Sequence, residues 1–495
     1  MTAQNPTLAY YLNDHPHTLF PLNTNRLVIE HASQDISDIV YQKILNKSQP
    51  EYSFLQQQSC HASKSGFHLR RTIKLDPIAE WYIYDLIYRN RLAFRKDFSP
   101  SRKTFGYRFE QGQPISSGDS YTAFRTAIAT ARRHFSYVLK FDVATYFNSI
   151  YHHDLTAWFM RTINVPSDAE GFGQYLREIN GGRSIDCLPQ GVHPCKLIGS
   201  EFLKFIDNSI NVRSELLLRF MDDFYLFSDS EERLTSDFIS IQRILGDKGL
   251  ALNPEKTALG AVAELDVAQT VDAFKRGLLR VRRNMISVSG HRYEVDREEI
   301  HADLQPNQVD YLLALLKDPN INEADADLVL SLLHDHGQDV LQRMTALLER
   351  FPSLIRSVYN YARSLSDKSE LSSLLLVFVK TGRNITEDQL FWIAKLAEDH
   401  LSNTPAYRNL LDELYSHPNG TPLSKAKVLE IPEQRFGFDS LREEQLRVGK
   451  SDWLAWSAAV GSRAEPAARR NYILAYFAKG SYMNHLISEC VSSLP

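Results

Sequence analysis

The chain is poor in several residue types. Its 495 residues include only four cysteines, six methionines and five tryptophans. The cysteines, Cys60, Cys187, Cys195 and Cys490, are widely scattered and form no Cys-x-x-Cys pair. A disulfide framework is excluded as the basis of the fold, and a reducing cytoplasm fits better than an oxidising compartment. Long apolar runs are missing too: the strongest, residues 374–379, is far too short to span a bilayer. The start, Met1-Thr2-Ala3-Gln4-Asn5-Pro6, lacks the basic and apolar regions of a signal peptide. Nor does one charge dominate, since 56 Lys and Arg face 60 Asp and Glu, for a formal net charge of −4. These absences lead to the expectation of a soluble cytoplasmic protein with no membrane partner. With 43% hydrophobic residues the chain can bury two or three cores.

Two carboxylates stand out. Asp222 and Asp223 lie side by side within Leu216-Leu217-Leu218-Arg219-Phe220-Met221-Asp222-Asp223-Phe224-Tyr225-Leu226-Phe227. Like charges repel, and burying either one unpaired is costly. One reading is a tight hairpin turn with both aspartates in water, because Asp is a common turn residue. The other is a metal site at a hairpin tip, where a divalent cation neutralises the pair. Upstream, Tyr137-Val138-Leu139-Lys140-Phe141-Asp142-Val143 alternates as a strand does. Tyr137, Leu139, Phe141 and Val143 take one face, and Val138, Lys140 and Asp142 the other. Asp142 then looks into a cleft while the apolar face packs on helices. One strand-end Asp plus a hairpin pair is the carboxylate set of a two-metal phosphoryl-transfer site.

Four strings now fall in order: Phe141-Asp142-(four residues)-Phe147, Leu188-Pro189-Gln190-Gly191, Phe220-Met221-Asp222-Asp223, and Gly249-Leu250-(one residue)-Leu252-Asn253-(two residues)-Lys256-Thr257. Together they resemble the palm of reverse transcriptases, over roughly residues 64–300. The resemblance implies metal binding by Asp142, Asp222 and Asp223, with two Mg²⁺ ions, or Mn²⁺ in their place. It implies that Lys256 stabilises or protonates departing pyrophosphate. Phe147 falls at the aromatic steric gate, under the sugar, where a ring leaves no room for a 2′-hydroxyl; its bland alternative is a core aromatic. Gln190 and Gly191 fall where the backbone approaches the incoming nucleotide, which Gly permits.

Residues 64–140 hold fifteen Lys or Arg against six Asp or Glu. That local excess fits a polyphosphate or nucleic-acid strand. Within it, Arg102-Lys103-Thr104-Phe105-Gly106-Tyr107-Arg108-Phe109 resembles a fingers segment of bacterial reverse transcriptases, making Arg102, Lys103 and Arg108 candidates for triphosphate contacts. Solvated surface charge is the alternative for each. A second basic run, Lys275, Arg276, Arg280, Arg282 and Arg283, either tracks a product strand or is a solvated helix face. Two departures stand out. The hairpin reads Phe-Met-Asp-Asp where Tyr-x-Asp-Asp is usual, and Cys195 stands where Ser is common. His193 with Cys187 and Cys195 lacks a fourth ligand, so zinc is set aside.

From about residue 305 helical periodicity takes over, starting with Leu312, Leu313, Leu315 and Leu316 after Pro306. Successive short helices predict a helical-repeat stack or an irregular bundle. Residues 285–295 read as a β-hairpin turning at Gly290. The expected fold class is α+β: reverse-transcriptase-like fingers and palm, with an antiparallel sheet and packed helices, followed by an all-α, HEAT-like domain. The expected division is 1–63, an N-terminal extension packing on the fingers; 64–300, fingers and palm; and 301–495, the helical domain in the thumb position.

A palm joined to a large helical domain resembles the abortive-infection (Abi) group of bacterial antiphage enzymes, of the type carried by P-two-like prophages. That resemblance implies a homo-oligomer adding dNTPs without a template, primed by a hydroxyl of its own chain, so that single-stranded DNA becomes covalently attached. The 23 tyrosines single out no primer. An RNA-templated enzyme of retron or group II intron type is the nearest rival. A nucleotidyl cyclase lacks its Gly-Gly-acidic hairpin here, and a non-enzymatic scaffold leaves the crowded carboxylates without purpose.

Overall fold

The computed structural model describes residues 5–94, 99–183, 188–267, 274–275, 277–279, 281–282, 304–334, 336–432 and 438–494. The expected hairpin at 285–295 lies outside them, as do Cys187, Arg276, Arg280 and Arg283. Nine strands are named in chain order: β1 Gln58–Ser63, β2 Leu69–Lys74, β3 Arg102–Phe105, β4 Phe109–Glu110, β5 Gln113–Pro114, β6 Tyr137–Asp142, β7 Leu216–Phe220, β8 Asp223–Ser228 and β9 Ala258–Ala261. β1 and β2 form a separate antiparallel hairpin, and β4 and β5 a two-residue ladder.

The central sheet has the order β3-β7-β8-β6-β9. An antiparallel sheet is the sequence expectation, and the observed sheet is mixed. β6, β7, β8 and β9 pair antiparallel, but β3 lies parallel to β7. Parallel neighbours need a long crossover rather than a tight turn, and residues 106–215 supply one. The segment expected to form part of the fingers thus begins as an edge strand of the central sheet.

Both faces of the sheet are covered, and side-chain alternation sorts them. Leu139, Phe141, Leu217, Phe224 and Leu226 enter the large core shared with most helices. Val138, Leu218, Tyr225 and Phe227 form a second, smaller core with Phe124, Ile128 and Ala131 of the helix Ser117–Ala131. Phe141 and Phe224 stack across the ladder with ring centroids 4.6 Å apart.

Helix starts follow local chemistry. Asp76 caps Pro77–Arg89 by accepting from Ala79 N, with Pro at the first position. Ser230 caps Glu231–Gly246, and Asn322 caps Glu323–Leu332. Thr386 and Gln389 form a reciprocal capping box at the start of Glu387–Leu396.

The described residues from 306 onward are helical. The helix expected after Pro306 is present at Pro306–Lys317, and Glu323–Leu332, Gly337–Arg350, Ile355–Ala362, Ser369–Thr381, Glu387–Leu396, Trp453–Gly461 and Ala467–Phe477 follow it. Tyr407–Ser416, Pro422–Leu429, Phe438–Arg447 and Tyr482–Ser493 complete the set. Glu323–Leu332 packs on Ile355–Ala362, that on Glu387–Leu396, that on Pro422–Leu429, and that on Trp453–Gly461. Pro306–Lys317, Gly337–Arg350, Ser369–Thr381 and Tyr407–Ser416 pack in the same skipping order, and Phe438–Arg447 packs on Ala467–Phe477. No described helix is long and apolar enough to cross a membrane.

The N-terminal segment packs on more than the segment expected to form the fingers. Asn23–Asp38 lies on Pro77–Arg89 and also on Trp453–Gly461 and Tyr482–Ser493. Its N-cap residue, Leu22, has no side chain able to accept. Glu430 caps it from the helical domain, accepting from Asn23 N at 2.9 Å and Thr24 N at 2.7 Å. A carboxylate at a helix N-terminus also meets the positive end of the helix dipole. Lys427, fully buried, balances that charge at 2.6 Å from Glu430 and 2.5 Å from Glu398.

Candidate active site at the tip of the palm sheet

β6 and β8 run antiparallel with Asp142 directly opposite Asp223. Both therefore point to the face that carries Val138 and Tyr225. Phe220 pairs with Asp223, so Met221 and Asp222 alone make the turn between β7 and β8. Asp142 and the adjacent pair Asp222 and Asp223, distant in sequence, meet at one end of the sheet. Met221 holds φ +57, a left-handed conformation that costs a non-glycine residue on the order of 1 kcal/mol. Arg219 holds that turn by donating to Met221 O at 3.0 Å and Ser200 O at 2.8 Å. Arg219 itself is fully buried and is paired with Asp207 at 2.5 Å. Thr104 of β3 donates to the same Asp207 at 3.1 Å, tying the edge strand to the turn.

Lys256 reaches the site along a third path. Residues 251–253 run back beside the end of β6: Ala144 N donates to Ala251 O and Asn253 N to Asp142 O, each at 2.8 Å. Asn253 also caps the short turn Pro254–Lys256. The Lys256 ammonium then donates to Asp142 Oδ2 at 2.9 Å. Burial, and next the charge of Asp142, push the Asp222 carboxyl up to about 7. The same two causes raise Asp223. Lys256 is raised in turn, first by its hydrogen bond to Asp142.

The tip is short of positive charge. Lys256 is hydrogen-bonded there, and Asp222 and Asp223 are raised first by burial and then by the charge of Asp142. Among the described residues no three metal-ligating side chains already close around a point. Asp142 is engaged by Lys256 instead. The donor set is nonetheless all carboxylate oxygen, the chemistry that suits Mg²⁺ or Mn²⁺. These residues fit a divalent ion once Lys256 yields its place on Asp142.

Phe147 belongs to the short helix Tyr146–Ser149, which follows Thr145 at φ +46. Its ring packs against the helix His193–Phe202 so closely that a Cβ on Gly199 would lie 3.1 Å from it. Tyr146 donates to Gly199 O at 2.7 Å and fixes that contact. Gln190 is anchored to β2, where its N donates to Thr72 Oγ1 at 2.9 Å. Gly191 has φ +102, and a Cβ there would lie 2.5 Å from Leu19 Cγ. The close approach this glycine permits is thus by the N-terminal segment of the chain itself.

The three basic residues of the 102–108 segment are placed differently from the carboxylates. Arg102 spends its guanidinium on the carbonyls of Ser101, Val212 and Ser214. Arg108 pairs with Glu110 at 2.8 Å and donates to Thr104 O at 3.3 Å. Lys103 is exposed on β3, opposite Leu218. Arg102 and Arg108 direct these bonds to nearby carbonyls and to Glu110 rather than to the three aspartates. Lys64, the residue after β1, lies within the electrostatic reach of Asp142 and Asp222. Burial lowers its pKa, as do Arg70 and Lys256, while Asp142 and Asp222 oppose them. Nothing in its spacing separates it from the other basic residues of the fingers. Arg219 carried a clearer sign, since a charge inside an apolar strand is rarely buried without a partner.

His193 and Cys195 take structural places. The Tyr10 hydroxyl hydrogen-bonds His193 Nδ1 at 2.6 Å, and His193 N donates to Asp14 Oδ2 at 2.7 Å. Burial holds the His193 imidazole down at about 4. Cys195 is a buried free thiol.

A mixed sheet with two aspartates on its central hairpin and a third across the ladder is the architecture of a palm-type nucleotidyl polymerase. Residues 92–312 match the family described as reverse transcriptase (RNA-dependent DNA polymerase). The chain therefore carries a reverse transcriptase domain, and with it a nucleotidyltransferase fold. Among solved structures it is similar to telomerase from Candida albicans with a fragment of telomeric RNA, at 12% identity and TM-score 0.30, over 73% of this chain and 65% of that one. It is also similar to apo telomerase from Candida tropicalis, at 11% identity and TM-score 0.29, over 78% of this chain and 73% of that one. The chain thus spans just under two thirds of the first telomerase. No curated protein matches it.

Proposed function

We propose that the chain is a DNA polymerase of reverse-transcriptase type, acting in abortive infection against phage. It adds dNTPs by phosphoryl transfer, without a template, to a hydroxyl of its own chain, and works as a homo-oligomer in the bacterial cytoplasm. The observation that carries the polymerase reading is the cross-strand pair Asp142 and Asp223, with Asp222 on the adjoining turn. Asp142, Asp222 and Asp223 would hold two Mg²⁺ ions. Bound there, the ions supply a lowered pKa at the attacking hydroxyl and screening of the pyrophosphate. Lys256 delivers its ammonium to the same edge, and Lys64 lies within electrostatic reach of it. The narrower abortive-infection reading is supported by domain order. A stack of helices, most of them packed on the one two places along, follows in the chain, and we read it as HEAT-like and as taking the thumb position.

The test is direct. Purified protein receives dNTPs and Mg²⁺ with no nucleic acid added, and its intact mass is then measured. A ladder of added nucleotide masses is the expected result. Strict dependence on added template and primer, with the protein mass unchanged, would replace this reading with a retron or intron type of enzyme.

Phe147 sets a second expectation. Its ring packs against Gly199 and Tyr146. Phe147→Ala should admit ribonucleotides, lowering the dNTP-to-rNTP preference roughly tenfold or more. Competition assays with paired dNTP and rNTP measure the ratio. A preference that does not move would leave Phe147 as a core aromatic only.

A further inference from the structure

The β1–β2 hairpin turns through Lys64-Ser65-Gly66-Phe67-His68-Leu69-Arg70. Two consecutive residues are left-handed, Gly66 at φ +66 and Phe67 at φ +62. Glycine adopts that conformation freely, and phenylalanine does so only at a cost. Phe67 gains no burial in exchange, being 54% exposed, as is Leu69 beside it. A strained aromatic residue facing water does nothing for stability.

The turn is not a loose flap. His61 N donates to Glu387 Oε2 at 2.8 Å, Ser63 N to Asp388 Oδ2 at 3.2 Å, and Ser65 Oγ to Glu323 Oε2 at 2.7 Å. The hairpin backbone and hydroxyls thus occupy the nearby acids of the helical domain. Cations line the same junction. Lys64 sits within the field of Asp142 and Asp222 and beside Arg70. Exposed Arg70 in turn faces both Arg356 and Asp388. Arg356, on the helix Ile355–Ala362, is held by Leu19 O at 3.0 Å, by Asp388 at 3.5 Å and over the Trp392 ring at 4.9 Å. Its side chain keeps 32% exposure.

We infer that this junction binds a single strand of DNA, with a base stacked on Phe67 and phosphates held by Arg70 and Arg356. An exposed aromatic face among cations is the combination single strands require: stacking accepts any base, and the cations track the backbone. A triphosphate alone gives no reason for the aromatic ring. The site rests on the polymerase reading for its choice of DNA. It also gives the helical domain a direct contact with the strand, through Arg356.

Binding of a fluorescein-labelled oligothymidylate to the full chain, read by anisotropy in EDTA, tests this without any catalysis. Phe67→Gly relieves the left-handed strain, so the melting temperature should hold or rise while affinity falls roughly tenfold. Arg356→Gln should weaken binding and flatten its salt dependence. Arg70→Gln, at an exposed residue, serves the same purpose if the Arg356 variant fails to fold. Unchanged affinity in both Phe67→Gly and Arg70→Gln would overturn the site, and tighter binding of oligouridylate than oligothymidylate would overturn its assignment to DNA. Failure of the polymerase reading shows separately, as wild-type protein that incorporates no nucleotide.

Discussion

Asp222→Asn should abolish nucleotide incorporation, by about a thousandfold or more, while the protein melts at the same temperature or higher. The substitution is nearly isosteric, so the turn keeps its shape. What changes is charge. Asp222 is pushed up to about 7 by burial and by Asp142, which means its ionised form is opposed by its surroundings. A neutral amide ends that opposition, and folding gains or holds. The same amide is a poor ligand for a hard divalent cation, and catalysis is lost. Falling activity with rising stability is the signature of a group kept for chemistry. A turn aspartate in water would show neither effect. Incorporation of labelled dNTP with Mg²⁺, beside a thermal melt in EDTA, measures both. Unchanged incorporation would remove Asp222 from the site.

Much of this arrangement was legible in the chain because it rests on short-range rules. Asp142 and Asp223 share a face because strands alternate, and the alternation from Tyr137 to Asp142 can be read residue by residue. The hairpin turn at Met221 and Asp222 follows from polar residues interrupting two apolar strands. Helices such as Pro306–Lys317 and Gly337–Arg350 carry their own apolar spacing and proline boundaries. What the sequence hid is contact across long separations. β3 joins the sheet in parallel, beside a strand more than a hundred residues further on, and no local pattern encodes that partner. Gly191 invites a close neighbour, but only the folded chain identifies it as Leu19. Arg102 and Arg108 looked like free cations because their acceptors, the carbonyls of residues 212 and 214 among them, have no signature in side-chain chemistry. Capping of Asn23–Asp38 by Glu430 joins residues as much as 407 positions apart in the chain and is invisible for the same reason.

Arg219→Ala should be the most destabilising single change near the site, costing roughly 3–5 kcal/mol. Arg219 is fully buried, and its guanidinium neutralises Asp207, itself almost fully buried. Removing the arginine leaves a carboxylate without countercharge and orphans the carbonyls of Ser200 and Met221. Lysine is no substitute, because a single ammonium cannot serve one carboxylate and two divergent carbonyls at once. Loss of activity in this variant would be expected from unfolding alone, so the informative protein is the double variant Arg219→Met with Asp207→Leu. It removes both charges together and fills their space with apolar atoms, an exchange that is often neutral for stability. The Met221 carbonyl still lacks its donor there, and the left-handed turn that carries Asp222 is no longer held from behind. The expected outcome is a melting temperature near wild type with incorporation still strongly reduced. A stable double variant of full activity would show that the turn keeps its catalytic shape unaided, and would confine Arg219 to neutralising Asp207.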